Sequence, residues 1–530
     1  MEESFDHVIV GAGSAGCVLA ARLSEDPGRS VLLLEAGGSD EDVRVATPAK
    51  FGGLPNTRFD WAYRTAPQRE LAHRQIAYPR GRGIGGTGSI NYMIYLRGHP
   101  ADYDGWRDSG CEGWGWSDVL PFFRLAEHHL APGDPEIHGR DGPLTVALPA
   151  RRYELAEMFL EACQQAGIAF NTDLNGDRLD GCGYFPGTVA RGERGSTART
   201  YLREAGGRPN LRIETGATVL RLVVGHGRVR AVEYLHRGQS KRVFCDGEIV
   251  LAAGAIGSPH LLMLSGIGPA DELAALGIDP ACDLPGVGRN LQDHLHYRSR
   301  WEITRPLSNF GRNARETERI EREYADDRSG PLASHLFESG AFLRSGTDVE
   351  VPDIELLMVP HLISPGATEL RPPDRHGFTI PGFPTRPESR GRVALASADP
   401  LDRPIIDPGY LSDPRDADVT ISLIRRAREV AGQKAFASIL GQEISPGPSC
   451  DSDEAILNDI RAMASTSFHP VGTCRMGIDE EAVVDPRLRL RGLDGLRIAD
   501  ASIMPRMNTG HPNAPTIMIA ERAAALMRES

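Results

Sequence analysis

A glycine-rich turn near the start of the chain has the composition of a dinucleotide-binding loop. Gly11, Gly13 and Gly16 stand at the GxGxxG spacing, directly after a short apolar run that predicts a buried strand. The first glycine permits a tight turn, the second lets a pyrophosphate approach the backbone, and the third lets the next helix pack closely. That helix would begin near Ser14 and Ala15, and its N-terminal N–H groups would face the phosphates. The pattern therefore predicts a dinucleotide site.

An acidic residue follows at the distance that such a site requires. Glu35 closes a second apolar run, 19 residues beyond Gly16. A carboxylate at this position accepts hydrogen bonds from an adenosine ribose and would repel a 2′-phosphate. The residues therefore disfavour NADP and leave NAD and FAD as alternatives. Together the strand, the turn, the helix and the second strand predict a βαβ unit with a parallel sheet.

Three later segments are also rich in glycine or polar turn residues. Residues 81–91 contain too many glycines for a strand or a helix, so they predict a loop pressed against something flat or phosphorylated. Residues 254–268 repeat that character. The third segment, residues 469–477, begins with His469 and is followed by residues 497–502 and 511–515.

Composition and charge narrow the class of protein. Of the 530 residues, 40% are hydrophobic and 25% are charged, which is typical of a folded globular chain. The net charge of −13 argues against a nucleic-acid partner. The eight cysteines form no CxxC pair and the histidines form no recognisable ligand pattern, so no metal is expected. No apolar run approaches the ~18 residues of a membrane span, and the acidic N-terminus is unlike a signal peptide. A reduced, cytoplasmic protein is expected.

Two kinds of amino-acid composition alternate along the chain, and they predict two interleaved domains. Residues 1–150, 206–300 and 463–530 are rich in glycine and apolar residues, and we assign them to a Rossmann-like dinucleotide domain. Residues 151–205 and 301–462 have a mixed composition, and we assign them to a substrate domain. The fold class expected is α/β, or α+β overall.

With these segments together, the chain resembles the glucose–methanol–choline (GMC) family of FAD-dependent oxidoreductases, in its choline dehydrogenase-like branch. Residues 81–104 resemble the first signature of the family, and residues 254–268, GAIGSPHLLMLSGIG, resemble the second. The resemblance covers nearly the full length. It implies FAD as the cofactor and a substrate domain built on an antiparallel sheet with helices. Since only one GxGxxG lies in a βαβ setting, the substrate should reduce the flavin, and oxygen or a quinone-like acceptor should reoxidise it.

The resemblance also implies which residues hold the cofactor. Ile90 occupies the position where some family members carry a histidine bonded covalently to the flavin, so non-covalent FAD is expected. The residues expected to contact FAD are Gly11, Gly13, Ser14, Ala15, Gly16, Glu35, Ala36, Arg82, Gly85, Gly86, Thr87, Ser89, Asn91, Tyr92, Met93, Ile94, Val219, Asp500, Ala501, Asn513, Ala514, Pro515 and Thr516.

The catalytic residues follow from the same resemblance. Oxidation of an alcohol by a flavin needs a hydride delivered to flavin N5 and a base for the hydroxyl proton. Histidine suits the base role, because its unperturbed pKa is about 6.5, and His469 matches the active-site histidine of the family. The second member of the pair is His or Asn. Alignment on residues 516–519 places Asn513 there, and His511 then stands two residues too early. The expectation is a His–Asn pair, with a helix cap as the alternative role of Asn513.

The substrate is expected to be a primary alcohol that becomes an aldehyde. Glu338 falls where choline-oxidising members carry a glutamate against the trimethylammonium group, which favours a choline-like or amino-sugar alcohol. A hydrogen bond within its own domain is the equally weighted alternative. Glu355, His361 and Phe468 are expected to line the same pocket with His469. An uncharged aryl or aliphatic alcohol and a non-redox hydroxynitrile lyase stay open as functions, and the chain is expected to be a monomer or a homodimer.

Overall fold

The computed structural model describes residues 3–308, 314–363 and 375–529. The strands of these residues are β1 Ser4–Val10, β2 Val31–Glu35, β3 Tyr63–Arg64, β4 Ala77–Tyr78, β5 Glu127–His129, β6 Leu144–Val146, β7 Gly181–Tyr184, β8 Val189–Ala190, β9 Glu193–Arg194, β10 Leu211–Thr215, β11 Ala217–Gly225, β12 Arg228–His236, β13 Gln239–Leu251, β14 Ile267–Gly268, β15 Cys282–Asp283, β16 Leu295–Ile303, β17 Ser339–Leu343, β18 Ile354–Met358, β19 Gly377–Pro384, β20 Arg392–Ala394, β21 Ile405–Asp407, β22 Leu440–Ser445, β23 Ser465–Thr466 and β24 Leu496–Ile498.

The α-helices of the same residues are α1 Ser14–Leu23, α2 Val43–Ala46, α3 Pro100–Asp108, α4 Trp116–Ala126, α5 Glu154–Gln165, α6 Arg203–Ala205, α7 Gly254–Leu264, α8 Ala270–Ala275, α9 Ala314–Asp327, α10 Pro414–Ala431, α11 Asp453–Met463 and α12 Asn513–Arg528. None of these described helices is both long enough and apolar enough to cross a bilayer.

The first sheet contains the predicted βαβ unit. Its strand order is β10-β2-β1-β13-β12-β11, with β24 beside β13. Strands β10, β2, β1, β13 and β24 are parallel, whereas β11, β12 and β13 form an antiparallel meander. All five residues of β2 are buried, as a central parallel strand requires. The turn after β1 and the end of β2 lie at the carboxyl edge, where open α/β sheets bind ligands.

The second sheet is antiparallel, in the order β22-β16-β19-β18-β17-β7, with β23 beside β16. Successive side chains of a strand point to opposite faces. Leu356 and Met358 of β18 accordingly lie in one core, which they share with α5, α10 and α11, whereas Leu357 lies in another core with Phe383 and Met93. Glu355 has the same parity as Leu357, so it faces away from those helices. The two sheets confirm the predicted fold class.

Strand pairing differs in detail from the predicted domain boundaries. The strands of the first sheet fall within residues 4–10, 31–35, 211–251 and 496–498. The boundary expected after residue 300 lies inside β16, and β23 pairs with the second sheet although residues 463–530 were assigned to the dinucleotide domain. Amino-acid composition alone therefore does not show to which sheet a strand belongs.

Candidate active site

A cavity of about 640 Å³ extends from the carboxyl ends of β1 and β2 to His469. Most residues that the sequence predicts for the site line it. The predicted residues on its wall are Gly11, Gly13, Ser14, Ala15, Glu35, Ala36, Arg82, Gly86, Thr87, Asn91, Tyr92, Met93, Ile94, Val219, Phe468, His469, Asp500, Ala501, Asn513 and Thr516. The predicted residues that do not line it are Gly16, Gly85, Ser89, Glu338, Glu355, His361, Ala514 and Pro515.

The first glycine turn has the form of a phosphate cradle. A Cβ atom on Gly11, whose φ is +97°, would lie 2.7 Å from the carbonyl oxygen of Ala252, and one on Gly16 would lie 1.8 Å from that of Gly11. These two glycines are therefore required by packing. A Cβ atom on Gly13 would meet no protein atom closer than 3.8 Å. The backbone at Gly13 is thus open to the cavity, and the cradle fits a bound dinucleotide.

Glu35 connects the end of β2 to both glycine loops. Its Oε1 accepts hydrogen bonds from the backbone N–H groups of Gly37 and Gly83, at 2.7 and 2.9 Å, and its Oε2 accepts one from Ala12 at 2.9 Å. Burial raises the pKa of this carboxyl, although the three N–H groups oppose that shift. A carboxylate oxygen has two acceptor positions, so Oε2 keeps one for a ribose hydroxyl.

The last helix begins at the same cavity. Helix α12 packs against α1. The first residues of the two helices, Ser14 and Asn513, both line the cavity, so both positive dipole ends face this region. The hydroxyl of Ser14 donates a hydrogen bond of 2.7 Å to Oδ1 of Asn513. Asn513 is the first residue of α12, and no side-chain cap is made at this terminus. The structure therefore brings the amide of Asn513 to the dinucleotide loop.

His511 is the residue that lies beside His469. The centroids of the two imidazole rings are 4.8 Å apart, and both residues line the cavity. Nε2 of His511 lies 2.9 Å from Oε1 of Glu355, whose side chain is fully buried on β18. Alignment on residues 516–519 predicts Asn513 and not His511 at this position. Asn513, as the first residue of α12, instead contacts Ser14 at the start of α1.

A buried hydrogen-bond network holds the segment that carries His469. Oδ1 of Asp293 accepts a hydrogen bond of 2.8 Å from the backbone N–H of His469. Oδ2 accepts bonds from the hydroxyl groups of Tyr78, Thr466 and Tyr410. Burial raises the pKa of Asp293. These contacts fix the backbone of His469 against the second sheet, since β23 ends at Thr466.

The His469 ring itself contacts a second buried histidine. Nδ1 of His469 lies 3.0 Å from Nδ1 of His294, and Nε2 of His294 lies 2.9 Å from the carbonyl oxygen of Thr385. Burial lowers the pKa of His469 well below its ordinary value, and the neighbouring histidines His511 and His294 lower it further. His469 is thus held as a neutral imidazole at neutral pH.

The wall near His469 is aromatic. The ring of Tyr92 lies 4.5 Å from that of Phe51, 4.8 Å from that of Phe337 and 6.3 Å from that of Phe468. Of these, Phe51, Tyr92 and Phe468 line the cavity. Phe468 has a φ of +66°, which is strained for a bulky residue, and its carbonyl accepts a hydrogen bond of 2.7 Å from Arg80.

The structure also places the predicted substrate residues Glu338 and His361 off this wall. Glu338 accepts hydrogen bonds from the hydroxyl of Ser334 at 2.6 Å and from the backbone N–H of Tyr153 at 3.2 Å, and burial raises its pKa to about 7. This is the alternative in which Glu338 bonds within its own domain. His361 is fully buried, and burial lowers its pKa to about 3.

Sequence reasoning missed Arg194, which lies behind the 81–91 loop. This buried side chain donates hydrogen bonds of 2.8 Å to both oxygens of Asn91 and one of 2.9 Å to the carbonyl of Val45. The Asn91 amide oxygen also accepts from the N–H of Met93 at 3.0 Å. The amide NH₂ of Asn91 is therefore the group left to face the cavity. No motif marks Arg194, because its partners are distant in the sequence.

One group of possible metal ligands comes together outside the cavity. Ligand atoms of Glu127, His129 and His138 lie within 4.8 Å of one another, although no ligand pattern is recognisable in the sequence. The two imidazole rings are stacked with centroids 3.8 Å apart, and His138 contacts carboxylates on both sides, Glu127 at 3.1 Å and Asp173 at 2.8 Å. Arg97 also donates to the Glu127 carboxylate. The geometry is that of a buried ion-pair network.

The fold and the site define an oxidoreductase that combines a dinucleotide cradle with paired histidines. Two family models, both described as GMC oxidoreductase, match residues 5–296 and 387–520. The chain is 41% identical to alcohol dehydrogenase (acceptor) of Pseudomonas putida, over 99% of this chain and 95% of that protein. It is also 41% identical to mitochondrial choline dehydrogenase of Homo sapiens, over 99% and 90%. The crystal structure of pyridoxine 4-oxidase from Mesorbium loti matches with a TM-score of 0.90 and 37% identity, over 99% of each chain.

The chain belongs to the GMC oxidoreductase family and is an enzyme of that family. GMC oxidoreductases bind FAD. The open backbone at Gly13, the remaining acceptor on Glu35 and the extent of the cavity fit that cofactor.

Proposed function

We propose that this enzyme oxidises a primary alcohol to an aldehyde with FAD, and that His469 accepts the hydroxyl proton. The observation that carries the proposal is the pairing of His469 with His511 at one end of a cavity whose other end is the dinucleotide cradle. FAD, when bound, supplies the hydride acceptor at flavin N5. A neutral imidazole is the form that accepts a proton, and burial keeps His469 in that form.

His511 takes the second role, which the alignment had given to Asn513. The carboxylate of Glu355 contacts Nε2 of His511 and holds that ring beside His469. His511 would interact with the substrate oxygen and stabilise the negative charge that develops there as the proton leaves. Asn513 instead joins Ser14 at the dinucleotide loop.

The cofactor is proposed to bind without a covalent bond at Ile90. Ile90 lines the cavity, and its hydrocarbon side chain has no atom that could attack the flavin. The electron acceptor, oxygen or a quinone-like molecule, stays a prediction, as do the cytoplasmic location and the choice between monomer and homodimer.

The substrate is proposed to be an uncharged aryl alcohol. Three aromatic side chains, Phe51, Tyr92 and Phe468, line the cavity near His469, while Glu338 points elsewhere. The similarity to alcohol dehydrogenase (acceptor) supports an alcohol, and the similarity to pyridoxine 4-oxidase supports one with an aromatic ring. A choline-like alcohol is the second candidate, because aromatic faces also hold quaternary ammonium groups and the chain is 41% identical to a choline dehydrogenase.

An anaerobic panel of alcohols tests the proposal. Benzyl alcohol, pyridoxine, choline and a linear aliphatic alcohol are each mixed with the FAD-loaded enzyme while the flavin absorbance is followed. Bleaching by the aryl alcohols, and its loss in His469→Gln, is the expected result. Bleaching by choline alone would contradict the aryl assignment. No bleaching by any alcohol, together with cleavage of a hydroxynitrile, would identify the lyase instead.

A further inference from the structure

The Thr385 carbonyl, His294 and His469 form a short row of hydrogen-bonded groups. The carbonyl of Thr385 lies 2.9 Å from Nε2 of His294, and Nδ1 of His294 lies 3.0 Å from Nδ1 of His469. His294 is fully buried and stacks on Phe383, with ring centroids 4.5 Å apart. The His294 ring is therefore tightly packed, and a flip of this ring would break its contacts with both Thr385 and His469.

The direction of each hydrogen bond in this row is determined by Thr385. A carbonyl oxygen only accepts, so Nε2 of His294 must carry the hydrogen that it receives. Burial lowers the pKa of His294 to about 3, so the ring is neutral and has one N–H group. Its Nδ1 is then an acceptor, and the hydrogen in the contact with His469 must belong to His469 Nδ1. A neutral His469 is left with its lone pair on Nε2.

We infer that His294 is a positioning residue that fixes the tautomer of His469 and makes Nε2 the nitrogen that accepts the substrate proton. This inference rests on the proposed role of His469 as the base. A neutral imidazole has two tautomers, and the one with hydrogen on Nε2 would present a donor to the hydroxyl group and could not take its proton. Among the described residues, His294 is the hydrogen-bond partner of the His469 ring.

Other charged and titratable groups around His469 do not change the assignment. His511, Arg80 and His296 approach from separate segments, and each disfavours a positive charge on His469. Asp293 accepts the backbone N–H of His469, so it leaves the ring nitrogens alone. These groups keep His469 neutral, while the contact with His294 determines which ring nitrogen of His469 carries no hydrogen.

The direct test is the ¹⁵N NMR spectrum of the FAD-loaded enzyme with labelled histidine, in which His469→Gln assigns the signals of His469. The expected spectrum has a protonated-type Nδ1 and a bare-type Nε2 at neutral pH. In His294→Leu the chemical shifts of both His469 ring nitrogens should move toward the average of the two tautomers. His294→Gln should preserve the wild-type pattern, because an amide can donate to Thr385 and accept from His469. A bare Nδ1 in the wild type, or an unchanged spectrum in His294→Leu, would overturn the inference.

A kinetic measurement separates this role from a structural one. The rate constant of flavin reduction by the best alcohol of the panel should fall at least about tenfold in His294→Leu, since a general base contributes about 10²- to 10⁴-fold. His294→Gln should restore most of it, and substrate affinity should change little. His335→Leu is the matched control, since His335 is a buried histidine that does not line the cavity. A rate in His294→Leu equal to that of the control would contradict the inference, whereas full activity of His469→Gln would overturn the proposed function instead.

Discussion

Nε2 of His511 lies 2.9 Å from Oε1 of Glu355, a carboxylate with no exposed surface. The two residues come from different parts of the fold, since Glu355 lies on β18 of the antiparallel sheet and His511 lies just before α12. The contact places an acidic group behind one imidazole of the pair, while a neutral histidine and a carbonyl stand behind the other. The two imidazole rings therefore have different hydrogen-bond partners, a carboxylate for His511 and a second imidazole for His469.

Replacement of Glu355 should slow the enzyme. Glu355→Gln keeps the shape but replaces the carboxylate that contacts Nε2 of His511 by an amide group, which forms a weaker hydrogen bond, so flavin reduction should fall about tenfold or more. The measurement is the rate constant of anaerobic flavin reduction at saturating alcohol. Glu338→Gln is the matched control, because Glu338 is also a buried glutamate of the second sheet region but bonds to Ser334. Equal effects in the two variants would contradict the role of Glu355.

The activity should persist in mildly acidic solution. The pKa of His469 lies well below its ordinary value of 6.5 because the ring is buried. The active form is the neutral one, and activity is lost only as the pH falls through the lowered pKa. The rate constant of flavin reduction should therefore keep more than half of its plateau value at pH 6.5. A midpoint at or above pH 6.5 would show that His469 does not have the lowered pKa or does not act as the base.

Two glycines of the cradle should respond differently to alanine. Gly13→Ala adds a methyl group that meets no protein atom closer than 3.8 Å, so the protein should fold but hold FAD more weakly. Gly16→Ala places the methyl group 1.8 Å from a backbone oxygen, so it should destabilise the fold itself. Thermal melting of the apoprotein and titration with FAD separate these effects. Wild-type FAD affinity in Gly13→Ala would contradict the cradle geometry.

Arg194 should matter for the cofactor although it does not line the cavity. Its guanidinium holds both oxygens of Asn91, and burial lowers its pKa to about 9. Arg194→Met should release the amide of Asn91 and weaken FAD binding, measured as flavin retained after gel filtration and as affinity of the apoprotein. Arg203→Met, at an exposed site of the same region, is the control. Equal retention of flavin in both variants would show that Arg194 does not support FAD binding.

The sequence predicted those parts of the site that depend on local spacing. The βαβ unit, Glu35 and the 81–91 loop follow from glycine positions and apolar runs, because these determine backbone paths over a few residues. The side chain that lies beside His469 could not be predicted in this way. An offset of two residues separates His511 from Asn513, and it is His511 whose ring lies 4.8 Å from that of His469. The contacts of Glu355 with His511 and of Arg194 with Asn91 join distant segments, which no local pattern encodes.

His469 and His511, and not Asn513, are proposed to form the catalytic pair. The decisive measurement is single-turnover flavin reduction, by an alcohol that bleaches the wild-type enzyme, in His469→Gln, His511→Ala and Asn513→Ala, each with its FAD content measured. Losses of about 10²-fold or more are expected in the first two variants. In Asn513→Ala, once corrected for bound FAD, the rate constant should stay within a few fold of wild type. A large loss in Asn513→Ala with wild-type rates in His511→Ala would show that Asn513, and not His511, is the partner of His469.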